Sequence, residues 1–147
     1  MKRTEQYLYL AKGKLHRSLF GAISEDGEIK IVKDNQVLTR MNRSQAEALA
    51  FIAKKIHQLD EQESICSVYL YGSVARGASN RTSDLDIFIV LKDSKLTAEE
   101  CRRFRMENSC FNNIDIDIHF EDNDIFSKSD TTYHTNIKKE GLELWTA

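Results

Sequence analysis

Ser67-Val-Tyr-Leu-Tyr71-Gly72-Ser73-Val-Ala-Arg76-Gly77, followed five residues later by Ser83-Asp84-Leu-Asp86-Ile-Phe-Ile-Val-Leu91, is the stretch on which the reading of this chain turns. Ser67–Tyr71 has the apolar and aromatic content of a strand and stops at Gly72-Ser73. Leu85–Leu91 is almost continuously apolar, the pattern of a strand covered on both faces. Gly72 lets the backbone turn sharply and approach a ligand closely. Ser73 offers a hydroxyl where a short helix would begin, beside backbone N–H groups free for phosphate oxygens. Asp84 and Asp86 differ by two positions, so both carboxylates project from one face of the second strand.

Downstream, Ile114–Phe120 alternates strictly. Ile114, Ile116, Ile118 and Phe120 share one face, and Asp115, Asp117 and His119 share the other. Either aspartate can complete a set of three carboxylates with Asp84 and Asp86. Two like charges on one strand face repel, and divalent cations would compensate them. Helices are expected between these strands. Ser44-Gln45-Ala46-Glu47 reads as a capping box, with Leu49, Ile52, Ile56 and Leu59 forming the apolar side of a helix over 44–60. Thr97-Ala98-Glu99-Glu100 caps a helix running to Asn108, and Thr131–Glu140 forms a last one with Gly141 at its C-terminal end. Leu142, Leu144 and Trp145 then pack back.

Upstream, residues 4–14 are ambiguous, with Tyr7, Leu8, Leu10 and Ala11 able to line a short helix. Leu15–Ser24 and Glu28–Lys33 are apolar-rich runs separated by Glu25-Asp26-Gly27, which predicts a β-hairpin. The expected class is therefore α/β (α+β in some schemes): a mixed sheet flanked by helices, with an N-terminal β-hairpin appendage. Residues 1–43 would form the appendage and 44–147 the main domain.

The composition agrees with one soluble, folded unit. The chain has 147 residues, 41% hydrophobic and 30% charged, with no proline and a formal charge of −2. That balance predicts no general affinity for nucleic acid. No apolar run is long enough for a membrane span, and Met1–Gln6 lacks the apolar segment of a secretory signal, so a cytoplasmic location is expected. Cys66, Cys101 and Cys110 have no CxxC spacing and read as reduced thiols. Charge is uneven: residues 1–43 carry a net +4, and residues 107–130 a net −6.

Gly72-Ser73-Val74-Ala75-Arg76-Gly77, Ser83-Asp84-Leu85-Asp86-Ile87 and Ile116-Asp117-Ile118 together resemble the nucleotidyltransferase superfamily of DNA polymerase beta, in its minimal nucleotidyltransferase (MNT) branch. The resemblance covers residues 65–145, including the closing Ile137–Leu144 segment. It implies that Gly72, Ser73 and Arg76 serve the phosphates of a nucleoside triphosphate, ATP being the first candidate. It further implies that Asp84, Asp86 and a third carboxylate hold two Mg²⁺ ions. The polymerase pattern carries a basic residue two positions after the third aspartate, where His119 stands here. That selects Asp117, with Asp115 the second choice; Arg81 reads as ordinary surface.

MNT proteins resemble the antitoxin halves of toxin–antitoxin pairs whose partners are HEPN-type toxins. The implied reaction is transfer of AMP to a hydroxyl on that partner. One alternative is a small-molecule nucleotidyltransferase of the aminoglycoside-modifying type, which carries a helical acceptor domain; only residues 1–43 stand in its place here. The other is a non-catalytic antitoxin that neutralises its partner by contact. A template-directed polymerase is the least favoured reading, since neither its fingers-like mass nor a basic DNA channel fits this chain.

Overall fold

The computed structural model describes residues 6–11, 14–16, 28–33, 36–60, 63–76, 84–92 and 96–146, with side chains from residue 39 to residue 144 within those ranges. The elements run β1 (Gln6–Ala11), β2 (Lys14–His16), β3 (Glu28–Lys33), β4 (Gln36–Asn42), α1 (Arg43–Leu59), β5 (Ile65–Tyr71), α2 (Gly72–Ala75) and β6 (Leu85–Leu91). They continue with α3 (Ala98–Glu107), β7 (Cys110–Phe111), β8 (Ile114–Asp122), α4 (Asn123–Lys128), α5 (Thr132–Glu140) and β9 (Leu142–Thr146). Among the described residues, nine strands join one mixed sheet in the order β4-β3-β1-β2-β9-β5-β6-β8-β7. The parallel pairs are β1 with β3 and β6 with β8. Joining β6 to β8 in parallel demands a crossover, which α3 and β7 provide.

Period-two alternation divides the core. Leu85, Ile87 and Ile89 of β6 and Ile114, Ile116 and Ile118 of β8 face one side, packed with Leu49, Ile52 and Ile56 of α1 and Cys101 and Phe104 of α3. Phe88 and Val90 face the other side, under Phe126 of α4 and Ile137 of α5. A strand covered by helices on both faces must be apolar at every position that is covered, which explains the near-continuous run of β6.

The N-terminal pairing differs from expectation. Residues 6–11 form a strand, not a helix. Glu28–Lys33 pairs with Gln36–Asn42 in an antiparallel hairpin and with Gln6–Ala11 in parallel, rather than with a strand spanning Leu15–Ser24. β4 follows β3 after only two residues, so this pairing closes the shorter connection at the lower entropic cost. Residues 17–27, including the Asp26-Gly27 step, lie outside the described residues. β2 pairs with β9, so the N-terminal strands extend the same sheet.

Caps follow local chemistry. Asn42, not Ser44, caps α1: its side chain accepts from Gln45 N–H at 2.8 Å, and Gln45 Oε1 accepts from Asn42 N–H at 3.1 Å. Glu47 is engaged instead by Arg43, at 2.7 Å. Thr97 and Glu100 form the expected box at α3. Gly141 ends α5 with φ −70°, so its smallness rather than a left-handed turn is what the site needs. A Cβ there would stand 2.5 Å from the Ile137 carbonyl oxygen. Cys66, Cys101 and Cys110 are free thiols. No helix among the described residues is long and apolar enough to cross a membrane.

Candidate active site

β5 brings the chain to the site with Tyr71 opposite Asp86 in the β5–β6 ladder. Gly72 follows at φ +79°, a conformation costly for any residue with a side chain. A Cβ on Gly72 would fall onto Oδ2 of Asp86. Glycine is thus required twice, by the turn and by the carboxylate lying against it. α2 is a single turn, closed by the Arg76 N–H donating to the Gly72 carbonyl at 3.2 Å. Val74 and Ala75 are buried, Ser73 is half-buried and Arg76 is exposed. From β4, the buried Thr39 hydroxyl donates to the Val74 carbonyl at 2.7 Å and braces α2 from behind. Gly77, Arg81 and Ser83 lie outside the described residues.

The carboxylates converge through strand register. Asp84 is exposed just ahead of β6, and Asp86 is half-buried within it. β8 runs parallel to β6 with Asp117 opposite Asp86 and His119 opposite Phe88. Register partners in a parallel ladder share a face at the ~4.8 Å strand spacing, so Asp86 and Asp117 stand side by side. Asp115 precedes the first β6–β8 pair and matches Cys110 of β7 instead. Burial, then the charges of Asp117 and Asp84, push the Asp86 carboxyl above its ordinary range, with His119 and Arg76 pulling against them. His119 Nε2 lies 3.2 Å from Asp117 Oδ2.

An aromatic wall closes one side. The Tyr71 and Tyr133 hydroxyls are 2.9 Å apart, and the Tyr133 ring meets His119 edge-on at 6.3 Å between centroids. Burial, with the Asp86 and Asp117 charges adding to it, raises both phenols above their ordinary range, so both remain protonated. Thr39, Tyr71 and Tyr133 escape a motif-based reading. Tyr71 could have been noticed as the residue entering the turn, whereas Thr39 and Tyr133 leave no local signal because they arrive from 35 and 62 residues away.

The chemistry of this donor set fits a divalent cation. Asp86 and Asp117 are like charges on adjacent register positions, with Asp86 made harder to ionise, and a cation would relieve both costs. Among the described residues, no three His, Cys, Asp or Glu side chains are grouped tightly enough to surround a metal in this conformation. An open hollow of about 520 Å³ lies elsewhere, bounded by Leu91 and Asp122 at the far ends of β6 and β8. Those ends are five residues, roughly 16 Å, from the carboxylates, so the hollow is not this site.

The structure thus brings together a Gly-Ser turn, a strand that carries one carboxylate against it, and a second carboxylate on the parallel neighbour. The chain belongs to the polymerase beta nucleotidyltransferase family, which matches residues 53–146. No curated protein gives a significant match. Among solved structures, a Sulfolobus solfataricus protein classed as a nucleotidyltransferase is similar at 22% identity and a TM-score of 0.51, over 70% of this chain and 84% of that one. At that identity the likeness is one of fold. A toxin–antitoxin structure with AMP-PNP matches at 21% identity and a TM-score of 0.48, over 64% of this chain and 73% of that one. A mutant MntA–HpeT toxin–antitoxin structure matches at 18% and 0.46, over 64% and 72%.

Proposed function

We propose that this chain transfers a nucleoside monophosphate, AMP from ATP, to a hydroxyl on a partner protein, a HEPN-type toxin, in the cytoplasm. The observation that carries the nucleotidyl-transfer chemistry is the Asp86 carboxylate lying against Gly72 with Asp117 as its register partner on β8. The protein acceptor follows from the resemblance of the motifs to the MNT branch. Gly72 and Ser73 cradle the β- and γ-phosphates with backbone N–H groups and a hydroxyl, and Arg76 supplies positive charge at the end of the turn. Asp84, Asp86 and Asp117 would hold Mg²⁺, which supplies charge neutralisation at the phosphates and leaving pyrophosphate. The acceptor oxygen forms a bond to the α-phosphorus as the bond to pyrophosphate breaks. Asp117, steadied by His119, receives the proton of the acceptor hydroxyl.

The test is to incubate the chain with each nucleoside triphosphate, Mg²⁺ and the product of the adjacent gene, and to read intact masses. A gain of one nucleoside monophosphate on the partner, lost when Asp84→Asn and Asp86→Asn are combined, is the expected result. A stable complex with no mass change would replace this reading with contact neutralisation. Labelling of an added aminoglycoside, with the partner unlabelled, would replace it with small-molecule transfer.

A further inference from the structure

Tyr133 belongs to none of the motifs above, yet it touches one residue from each of three adjacent strands at the site. Its ring lies 6.1 Å from Tyr71 of β5, 6.0 Å from Phe88 of β6 and 6.3 Å from His119 of β8, each near-perpendicular. Its hydroxyl is 2.9 Å from that of Tyr71. Tyr133 is 45% exposed. Water could satisfy its hydroxyl, so burial does not force the pairing with Tyr71. The contacts it makes are the ones that matter for spacing. Tyr71 is the residue from which the chain turns into Gly72, and His119 is the residue lying against Asp117. α5 itself is held from beneath by Ile137, 2% exposed, in the cluster with Phe88 and Phe126. The helix therefore has a fixed base from which Tyr133 can brace the site.

We propose that Tyr133 is a positioning residue: its hydroxyl bond to Tyr71 steadies the entry to the Gly72–Ser73 turn, its ring seats His119 beside Asp117, and the two together hold the phosphate turn and the third carboxylate at one spacing. The consequence for turnover rests on the function proposed above. The consequence for the turn does not.

The test uses Tyr133→Phe and Tyr71→Phe, which keep both rings and remove the hydroxyl pair from either side, and the double variant. Amide hydrogen exchange at Gly72–Arg76 is expected to quicken roughly fivefold in each single variant, the worth of one net hydrogen bond. The double variant should show no further gain, because both changes delete the same bond. Nucleotide transfer at saturating triphosphate should fall by about the same factor, with KM for the triphosphate altered less than about twofold. Unchanged exchange at 72–76, or losses that add in the double variant, overturns the proposal. Because Tyr71→Phe deletes the bond from the other side, misfolding of one variant does not remove the test. A parent protein that transfers no nucleotide sinks the functional reading alone, since exchange still decides the positioning role. A nucleoside monophosphate found on Tyr133 itself, and absent from Tyr133→Phe, makes it an acceptor and overturns the positioning role.

Discussion

The two faces of β6 and β8 are made by alternate residues of the same strands and behave as different materials. On one face, Leu85, Ile87, Ile116 and Ile118 are at most 4% exposed and belong to the apolar cluster that includes α1 and α3. On the other, Asp86 and Asp117 stand side by side at the start of the ladder; β6 turns apolar at Phe88 and Val90, while β8 continues with His119 and Glu121. The first face supplies rigidity, and the second is held in an unfavourable electrostatic state by that rigidity. Like charges would drift apart on a loop; on two hydrogen-bonded strands they cannot. Neighbouring positions such as Asp86 and Ile87 are thus set to opposite purposes by a single residue step.

The sharpest way to break that contrast is to change those two neighbours. Asp86→Asn is expected to lower nucleotide transfer by roughly a thousandfold, several kcal/mol of lost transition-state stabilisation, while the unfolding midpoint holds or rises because a like-charge contact is gone. Ile87→Ala should do the reverse, costing about 2–5 kcal/mol of stability in denaturant titration while folded molecules keep their activity. If Asp86→Asn proves strongly destabilising, or Ile87→Ala leaves stability intact, the division of labour is wrong.

Gly72→Ala comes next and touches both faces of the argument. The positive φ costs on the order of 1–3 kcal/mol with a side chain present. The added Cβ also displaces the Asp86 carboxylate, so transfer should fall by more than the stability loss accounts for. Thermal unfolding and transfer measured together separate the two effects; equal losses in both would deny the contact with Asp86.

The smallest effect concerns pH. Asp86 titrates above its ordinary 3.8 in the folded chain. Between that value and the higher folded one, the folded chain holds a proton that the unfolded chain has released. Stability therefore falls as pH rises through that window and is level above it. Thermal melts across the acid range should show that slope in the parent and lose it in Asp86→Asn.

Much of this was legible in local spacing. Leu85–Leu91 has the bounds of its strand, Thr97 and Glu100 form their box, and Ile114–Phe120 buries the face its alternation predicts. These are short-range matters of period and capping. The pairing of Glu28–Lys33 was not legible, because two downstream and upstream partners of similar composition compete and only loop closure and the rest of the sheet choose between them. Nor was the place of Thr39, whose hydroxyl finds Val74 across 35 residues.

The Gly-Ser turn, an aspartate within β6 and the acidic face of β8 follow from the sequence by itself, since residue spacing fixes which side chains share a face; Asp84, read as sharing the face of Asp86, stands just ahead of the strand instead. Which acidic residue stands beside Asp86 does not follow. Asp115 and Asp117 satisfy the same alternation, and a pattern of period two carries no information about register between strands. The parallel pairing of β6 with β8 sets Asp117 there, because register is settled by long-range packing of the two apolar faces rather than by anything local to either aspartate.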